Sequence, residues 1–333
     1  MSRVADAVRL VAELPDSGPD GPTGADIAQA LRKGGLLDAD LTTPALFEAL
    51  AGLGGASLSA GRLFEGHVNA VRLLDLYDHR HNGFCGIWGA DGPDPVRIEG
   101  DRLMGQKLFA SGADVLDRVL VSARQGDRPQ LLLIDMQALA GRLFPQEWNT
   151  AGMRATASGR CDLNGFPLSR ARRVGAPGDY LREPHFQGGV WRYGAVQLGA
   201  MRRLTAITAA QLARRGHDAA PLQAMRLRRM LTACETARLW LWQAAETVEQ
   251  PGAGPASAES AILARLVTAE AAVSVLTLMD EALGASSFAV GHPAERIRRD
   301  LGFYIRQANP DQLALDCMAR ILADPARTAR WIG

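Results

Sequence analysis

Long helix-forming segments separated by short breaks fill the C-terminal half of this chain. Helices are predicted over residues 190–214, 222–248, 257–283, 293–305 and 309–322. Breaks rich in Gly or Pro follow the first two segments, and Ser257 stands where an N-cap of the third would lie. Because long helices joined by short connections pack antiparallel, the sequence predicts an up-down helical bundle over residues 185–330.

The first eighty residues are also predicted to be helical, but in shorter pieces. Val4, Ala7 and Val11 lie at the spacing of one face of an amphipathic helix. Thr43-Pro44 is typical of a helix start, with a capping hydroxyl followed by Pro in the first turn. Further helices are predicted over residues 25–33 and 62–77, so residues 1–80 form an N-terminal helical region.

Short alternating segments that begin near His79 indicate a β-rich region. Strands are predicted over residues 84–88, 96–99, 102–105, 118–122 and 130–135. Gly100-Asp101 is a two-residue hairpin signal, with Gly first as a type II′ turn prefers. Strands at hairpin spacing without intervening helices indicate an antiparallel sheet. We therefore expect a central antiparallel β domain over residues 81–178, within an α+β multi-domain protein.

The composition is typical of a globular protein and argues against nucleic acid as its main partner. The chain has 333 residues, of which 47% are hydrophobic and 22% charged, as expected of a globular protein with two or three domains. The formal net charge of +1 argues against nucleic acid as the main partner, because phosphate binding needs a basic surface. Only two of the 37 basic residues are lysines, Lys33 and Lys107.

The cysteines give no sign of a metal site or of a disulfide framework. Cys85, Cys161, Cys234 and Cys317 are more than seventy residues apart, without the C-x-x-C spacing of zinc ligands. Free thiols are typical of a reducing compartment. No apolar run approaches the length of a membrane span. We therefore expect a cytoplasmic protein without membrane insertion.

The segment from Trp148 to Gly159 is polar and unusually rich in hydroxyl groups around one Arg. It reads W-N-T-A-G-M-R-A-T-A-S-G. This resembles W-x-x-x-G-M-R-A-T-x-S, a signature of the middle domain of acyl-CoA dehydrogenases. The resemblance covers roughly residues 60–322, and it implies that family's fold: N-terminal helices, a β domain and a helical bundle.

A second segment about forty residues earlier is similar to a flavin-contacting strand of the same family. Residues 105–112 read G-Q-K-L-F-A-S-G and resemble the family's G-x-K-x-W-x-[ST]. The resemblance implies that Phe109, in place of the usual Trp, lies against a flavin ring. It also implies that the Ser111 hydroxyl bonds near N5 and O4 of that ring, and Lys107 occupies the family's lysine position.

The bundle carries further similar segments. Arg214, Arg215 and Gln223 resemble an Arg and a downstream Gln that bind FAD diphosphate across a subunit interface, although their spacing is two or three residues shorter. Residues 292–300, H-P-A-E-R-I-R-R-D, are similar to the family's [YH]-P-x-E-[RK]-x-x-R-D. The resemblance therefore implies FAD as the cofactor, and a homodimer or homotetramer as the assembly.

The chain departs from the family at positions that bear on chemistry. Trp88 stands where the first flavin-contact motif has Thr, and the loop that follows is shortened. The usual catalytic Glu falls at Ala308, and an alternative base position falls near Trp191. Since α,β-dehydrogenation of an acyl-CoA needs a carboxylate to remove the α-proton, the catalytic residue stays unknown. Three acids elsewhere in the bundle could take its place: Glu270, Glu281 and Glu295.

Three hypotheses about function follow. The first is an FAD-dependent oxidoreductase that acts on an acyl thioester or a related small substrate. The second is a flavin-dependent monooxygenase on the same fold, for which a missing base is no handicap. The third is a catalytically degenerate paralogue that serves as a binding or scaffold subunit. In the first two, Trp88, Phe109, Ser111, Arg214, Arg215 and Gln223 are the predicted cofactor-binding residues.

Overall fold

A computed structural model describes residues 2–307 and 309–333 of the chain. The N-terminal helices are α1 (Arg3–Ala12), α2 (Gly24–Lys33), α3 (Thr43–Ala56) and α4 (Leu58–Leu76). The strands are β1 (Cys85–Trp88), β2 (Arg97–Glu99), β3 (Arg102–Met104), β4 (Gln106–Lys107), β5 (Arg118–Gln125), β6 (Arg128–Asp135), β7 (Leu143–Phe144), β8 (Arg160–Asp162), β9 (Phe166–Pro167) and β10 (Ala171–Val174). The C-terminal helices are α5 (Val190–Arg214), α6 (Pro221–Glu249), α7 (Ser257–Leu283), α8 (Glu295–Tyr304), α9 (Pro310–Leu322) and α10 (Pro325–Trp331). The predicted order of helices, strands and helices is confirmed.

The chain divides into two compact units. One contains the residues up to Leu41 together with Ser59–Arg182, and the other contains Thr42–Leu58 together with Glu183–Gly333. The first unit thus holds both sheets and is called the β unit below. The second holds the helical bundle. The three-part division into residues 1–80, 81–178 and 185–330 stays a prediction.

The larger sheet of the first unit has the strand order β10-β6-β5-β2-β3-β9, with β1 also paired to β5. Most of its ladders are antiparallel as predicted, but β1 and β2 both run parallel to β5. The β2–β3 hairpin turns at Gly100-Asp101, where Gly100 has a φ of 59°. A smaller sheet has the order β4-β8-β7. One hydrophobic cluster of this unit forms where apolar side chains of α4 pack on β5, β6 and β10.

A buried histidine on α4 joins two segments of the first unit. His67 Nδ1 accepts a hydrogen bond of 3.1 Å from the backbone N–H of Cys85. Its Nε2 lies 2.8 Å from the carbonyl oxygen of Leu37 and must therefore carry the hydrogen. Burial lowers the pKa of His67. The ring is thus held neutral, with both nitrogens bonded.

In the second unit, α3 crosses α5 at glycines, although sequence order groups α3 with the N-terminal helices. A Cβ at Gly199 would lie 1.9 Å from the carbonyl oxygen of Ala51, and one at Gly54 would lie 2.0 Å from that of Val196. Only glycine allows this approach, and the spacing of apolar residues within α3 does not reveal it. The predicted N-terminal region, residues 1–80, thus includes α3, which the structure groups with the helices of the second unit.

The ends of the bundle helices differ slightly from prediction. Ala256, not Ser257, is the N-cap of α7, and the Ser257 hydroxyl donates to the carbonyl of Gly254 instead. The last helix, α10, was missed, although Asp324-Pro325 repeats the pattern that correctly predicts α9. The buried Glu259 carboxylate accepts from Trp331 Nε1 at 3.1 Å and holds α10 against α7.

The sequence predicted neither a metal site or disulfide framework nor a membrane span. All four cysteines are free and buried, and no cluster of His, Cys, Asp or Glu in the described ranges could hold a metal ion. One stretch, Ser257–Phe288, is long and apolar enough to cross a membrane by length and composition. Its apolar side chains pack against α5 and α6, as in the core helix of a bundle.

Candidate functional site

The two segments that resemble flavoenzyme motifs lie against each other in the first unit. The N–H of Ala110 donates to the carbonyl of Gly159 at 2.9 Å, and that of Gly112 donates to the carbonyl of Thr156 at 2.7 Å. β4, which lies within the first segment, pairs with β8, the strand that follows the second, with Lys107 opposite Cys161. Residues 105–112 and 148–159 therefore form one structural element.

Close packing explains the glycine that ends the second segment. A Cβ on Gly159 would lie 2.0 Å from the carbonyl oxygen of Phe144, which is backbone and cannot give way. At the end of the first segment, Gly112 has a φ of 76°, in the left-handed region that favours glycine. The two glycines allow the segments to approach closely enough to bond.

An exposed aromatic face stands at the junction of the two segments. The Phe109 side chain is 52% exposed, and the residue has a φ of 53°, an uncommon conformation for a non-glycine residue. Its ring meets that of Trp148 edge to face, with centroids 5.8 Å apart. Trp148 is fixed in turn by its Nε1, which donates to the carbonyl of Met153 at 2.9 Å. Strain that persists at an exposed residue is typical of functional sites.

Three hydroxyl groups form a chain beside this aromatic face. Thr156 Oγ1 lies 2.7 Å from Ser158 Oγ, which lies 2.8 Å from Ser111 Oγ. Thr156 and Ser158 are buried, at 1% and 3% exposure, and Ser111 is partly exposed. The chain therefore leads from the interior of the β unit to the side chain that the sequence assigns to the cofactor.

The buried Trp88 side chain supports the backbone of Ser111 from the interior of the unit. Its side chain is 1% exposed, and its Nε1 donates to the carbonyl of Ser111 at 3.0 Å. The indole thus fixes the backbone at Ser111 and is covered by the protein itself. Direct contact between Trp88 and a cofactor stays a prediction.

Lys107 anchors the shortened loop after Trp88. Its ammonium group is fully buried and donates to Asp91 Oδ1 at 2.6 Å, to Ser122 Oγ at 2.8 Å and to the carbonyl of Gly89 at 3.2 Å. Burial lowers the pKa of Lys107, and the Asp91 carboxylate opposes this effect. Each ammonium hydrogen has an acceptor, so Lys107 is a structural residue here. Asp91 was not singled out in the sequence as its partner.

The second unit holds the predicted phosphate-binding residues at the end of α5 and the start of α6. Arg215 Nη2 lies 3.5 Å from Ser286 Oγ, and Gln223 Oε1 accepts from Arg226 at 3.4 Å. In the described part of the chain, Arg214 and Arg215 have no carboxylate within 4.0 Å. Their guanidinium groups are thus available to an anion.

A histidine lies next to these arginines. His292 Nδ1 accepts from the N–H of Ala294 at 3.1 Å, so its Nε2 donates to Gln211 Oε1 at 2.7 Å. Burial, followed by the charges of Arg215 and Arg214, lowers the pKa of His292. The positive charge that an anion would meet at this end of α5 therefore comes from the arginines and not from His292.

The positions proposed for a catalytic base differ in what the structure places there. Trp191 Nε1 donates to Glu249 at 3.1 Å, so this position has a structural role at the start of α5. Ala308 lies outside the described residues. Glu281 pairs with Arg226 at 3.2 Å and Glu295 with Arg299 at 2.8 Å, while Glu270 is exposed. The identity of a base stays open.

Sequence reasoning found both motifs but missed how they are joined. The bond between Ser111 and Ser158 spans 47 positions of the chain, and the residues on either side give no local sign of it. Only the density of hydroxyls in residues 148–159 could have indicated it.

Comparison with known proteins identifies the scaffold. Residues 185–305 match the model of the acyl-CoA dehydrogenase C-terminal domain. No curated protein sequence matches the chain. FMN-bound TdsC from Paenibacillus sp. A11-2 is similar in structure, with a TM-score of 0.77 and 19% identity over 95% of this chain and 96% of that one. Nitroalkane oxidase gives a TM-score of 0.78 and 16% identity over 97% and 94% of the two chains.

A third solved structure is similar over its whole length. FkbI, described as serving biosynthesis of the methoxymalonyl extender unit of a polyketide immunosuppressant, gives a TM-score of 0.79 and 18% identity over 97% of this chain and 100% of that one. The chain thus has the acyl-CoA dehydrogenase-like fold, and the predicted fold class and resemblance are confirmed.

Proposed function

We propose that this chain is a flavin-dependent oxidoreductase whose flavin ring lies on the face formed by Phe109 and Trp148. The observation that carries the proposal is the half-exposed Phe109 ring, held in a strained backbone conformation beside the partly exposed Ser111 hydroxyl. An aromatic ring favours stacking against a flat ligand. A hydroxyl at its edge can bond a polar atom of that ligand. When bound, a flavin supplies the redox chemistry that protein side chains lack.

FAD is the flavin we propose. Arg214 and Arg215 offer two cationic groups without a carboxylate partner among the described residues, and Arg side chains suit diphosphate. Gln223 adds an amide nearby on the chain. FMN is the alternative, because a protein of the same fold is FMN-bound. Each unit, taken by itself, thus supports part of this proposal: Phe109 and Ser111 suit a flavin ring, and Arg214 and Arg215 suit phosphates.

The substrate we propose is a small molecule, with an acyl thioester as the leading class. Similar structures hold indole, a sugar nucleotide and 1-nitrooctane, which differ widely in chemistry. The fold therefore sets no narrow limit on the substrate. Without a carboxylate at Ala308 or Trp191, α,β-dehydrogenation would depend on an acid elsewhere in the chain.

A flavin-dependent monooxygenase is the second candidate. The observation that favours it is Trp191, which stands at the alternative position of a catalytic base. Its side chain is not an acid, and its indole donates to Glu249. A dibenzothiophene monooxygenase has the same fold, with a TM-score of 0.76 and 21% identity. Oxygen consumption with externally reduced flavin, without anaerobic bleaching by acyl-CoA, would favour this candidate. Bleaching of the bound flavin by acyl-CoA would favour dehydrogenation. If neither activity is observed, the hypothesis of a binding or scaffold subunit remains.

We also propose that the protein is a cytoplasmic homodimer or homotetramer. Four large apolar side chains of α6 are each more than half exposed: Leu222, Met225, Leu231 and Leu239. Several exposed apolar side chains of this size on one helix favour an interface. A second copy of the chain is the partner that we propose to cover them.

The test of the proposed function is a flavin titration of three proteins. Loss of the ring in F109A should weaken FAD or FMN binding about five-fold, the equivalent of about 1 kcal/mol for an aromatic contact. F109W restores the family's usual residue and should bind at least as tightly as the wild type. Equal affinity in all three proteins would place the flavin elsewhere.

A further inference from the structure

The core of the second unit contains an arginine that has no part in the proposed flavin site. Arg265 lies on α7, and its side chain is fully buried. Its Nη2 donates to the carbonyl oxygens of Ile305 and Gln307, at 2.7 Å and 3.0 Å. Ile305 is the C-cap of α8, where the carbonyl groups lack partners within the helix. Arg265 therefore caps the end of α8.

This capping role uses only part of the guanidinium group. A guanidinium carries five N–H hydrogens, has no acceptor and is not deprotonated in proteins. Nε and Nη1 of Arg265 are buried and have no hydrogen-bond partner in the described part of the chain. No carboxylate of the described residues lies within 4.0 Å of its nitrogens. The three hydrogens on Nε and Nη1 are thus left for another group.

The surroundings offset the buried charge without supplying these hydrogens with an acceptor. The ring centroid of Tyr193 lies 5.5 Å from the Arg265 Cζ, which gives a cation–π attraction. The end of α8 contributes about half a negative charge. Because a buried charge is costly unless it is both paired and hydrogen-bonded, this arrangement is typical of a site that an anion completes.

A second buried polar side chain reaches the same end of α8 from another helix. Gln197 of α5 is fully buried, and its Nε2 lies 3.4 Å from the carbonyl oxygen of Tyr304, the residue before Ile305. Its Oε1 is buried and receives no hydrogen bond from the described residues. A side-chain amide has both a donor and an acceptor end. Two incompletely bonded side chains, Arg265 and Gln197, therefore approach consecutive carbonyls of one helix end.

We propose that Arg265 is the cationic side of a buried binding site for a small, singly charged anion, and that its source is the carboxylate of an organic ligand. The N–H groups of a guanidinium suit the oxygens of a carboxylate. Two neighbours of the guanidinium, Tyr193 and Gln307, are only partly buried, so the site lies close to the protein surface.

This site is distinct from the proposed phosphate-binding arginines. Tyr193 lies near the start of α5, whereas Arg214 and Arg215 lie at its end, about 30 Å away along the helix. The anion site therefore does not depend on whether the chain binds a flavin.

The test is thermal unfolding of the wild type and R265M in a zwitterionic buffer, with sodium acetate or sodium chloride added in steps. A ligand that binds only the folded state stabilises it increasingly as its concentration rises. At ten times its Kd, acetate should raise the ratio of folded to unfolded wild type about eleven-fold, a rise in Tm of about 3–6 °C. R265M lacks the cation and should show only the general effect of salt.

The dependence on acetate separates anion binding from capping. Loss of the cap on α8 lowers the Tm of R265M at every acetate concentration, but it does not remove a rise with acetate. R215M removes another arginine without a carboxylate partner among the described residues, and R203M removes an exposed one from α5. Both control variants should keep the wild-type rise with acetate, and R265K should keep part of it.

The two salts distinguish the sources of the anion. A larger rise with acetate than with chloride, absent from R265M, supports a carboxylate ligand. An equal rise with chloride, also absent from R265M, supports the anion site but overturns the carboxylate as its source. Equal salt responses of the wild type and R265M overturn the site.

A second measurement decides the question if R265M fails to fold. Crystals of the wild type are grown with acetate and, separately, with bromide. Acetate density or an anomalous bromide peak against Nε or Nη1 of Arg265 supports the site, whereas a water molecule there in both crystals overturns it. Failure of flavin binding would refute the proposed function and leave this result unchanged.

Discussion

Replacing Lys107 by Met tests whether this buried ammonium group holds the β unit together. The substitution keeps the aliphatic stem and removes three hydrogen bonds, to Asp91, Ser122 and the carbonyl of Gly89. Removing one partner of a buried ion pair costs about 3–5 kcal/mol. The Asp91 side chain is 27% exposed and can recruit water, so we expect the lower end, about 3 kcal/mol.

For a unit of this size, about 3 kcal/mol lowers the unfolding temperature by about 6–12 °C. The assay is thermal and urea unfolding followed by circular dichroism. The control is K33M, which removes the chain's other lysine from an exposed position at the end of α2 and should change stability by less than about 0.5 kcal/mol. A K107M variant no less stable than K33M would refute this role for Lys107. The double variant with D91N should recover part of the loss, because it no longer leaves a carboxylate unpaired.

Three further predictions concern the same unit. Because burial lowers the pKa of His67 from its ordinary value of 6.5, unfolding free energy should fall as the pH drops below 6.5, and H67Q should lack this pH dependence. G159A should destabilise the fold by about 2 kcal/mol or more, since its Cβ has no room, whereas G254A, at a position in open space, should be near neutral in urea unfolding. Burial raises the pKa of Cys85 to about 11 and that of Cys161 to about 12, so both thiols should resist a thiol reagent at neutral pH until the protein is denatured, and rapid native labelling would contradict this.

Sequence reasoning located the long helices well because their boundaries are set locally. The observed ranges of α5 and α7 coincide with the predicted 190–214 and 257–283, where Gly and Pro breaks follow directly. The five predicted strand segments correspond to β1, β2, β3, β5 and β6, but no ranges were predicted for β7 to β10, and the parallel pairing of β1 with β5 was not found. Strand order depends on contacts between distant residues, and the alternation within a strand does not specify them.

The candidate site was predicted as separate pieces rather than as an arrangement. Phe109 and Ser111 were named from their motif, and the structure gives them an exposed ring and a bonded hydroxyl. Trp88 was named for the same contact, yet it is buried and bonds the Ser111 backbone. A motif identifies the residue types at a site, whereas exposure and hydrogen bonding depend on how the segments pack together.

Gel filtration after incubation with FAD or FMN tests whether this chain binds a flavin through the β unit. We expect a yellow protein peak for at least one of the two flavins, and a weaker colour for F109A than for F109W. A colourless wild-type peak with both flavins, at micromolar protein and an excess of cofactor, would contradict it.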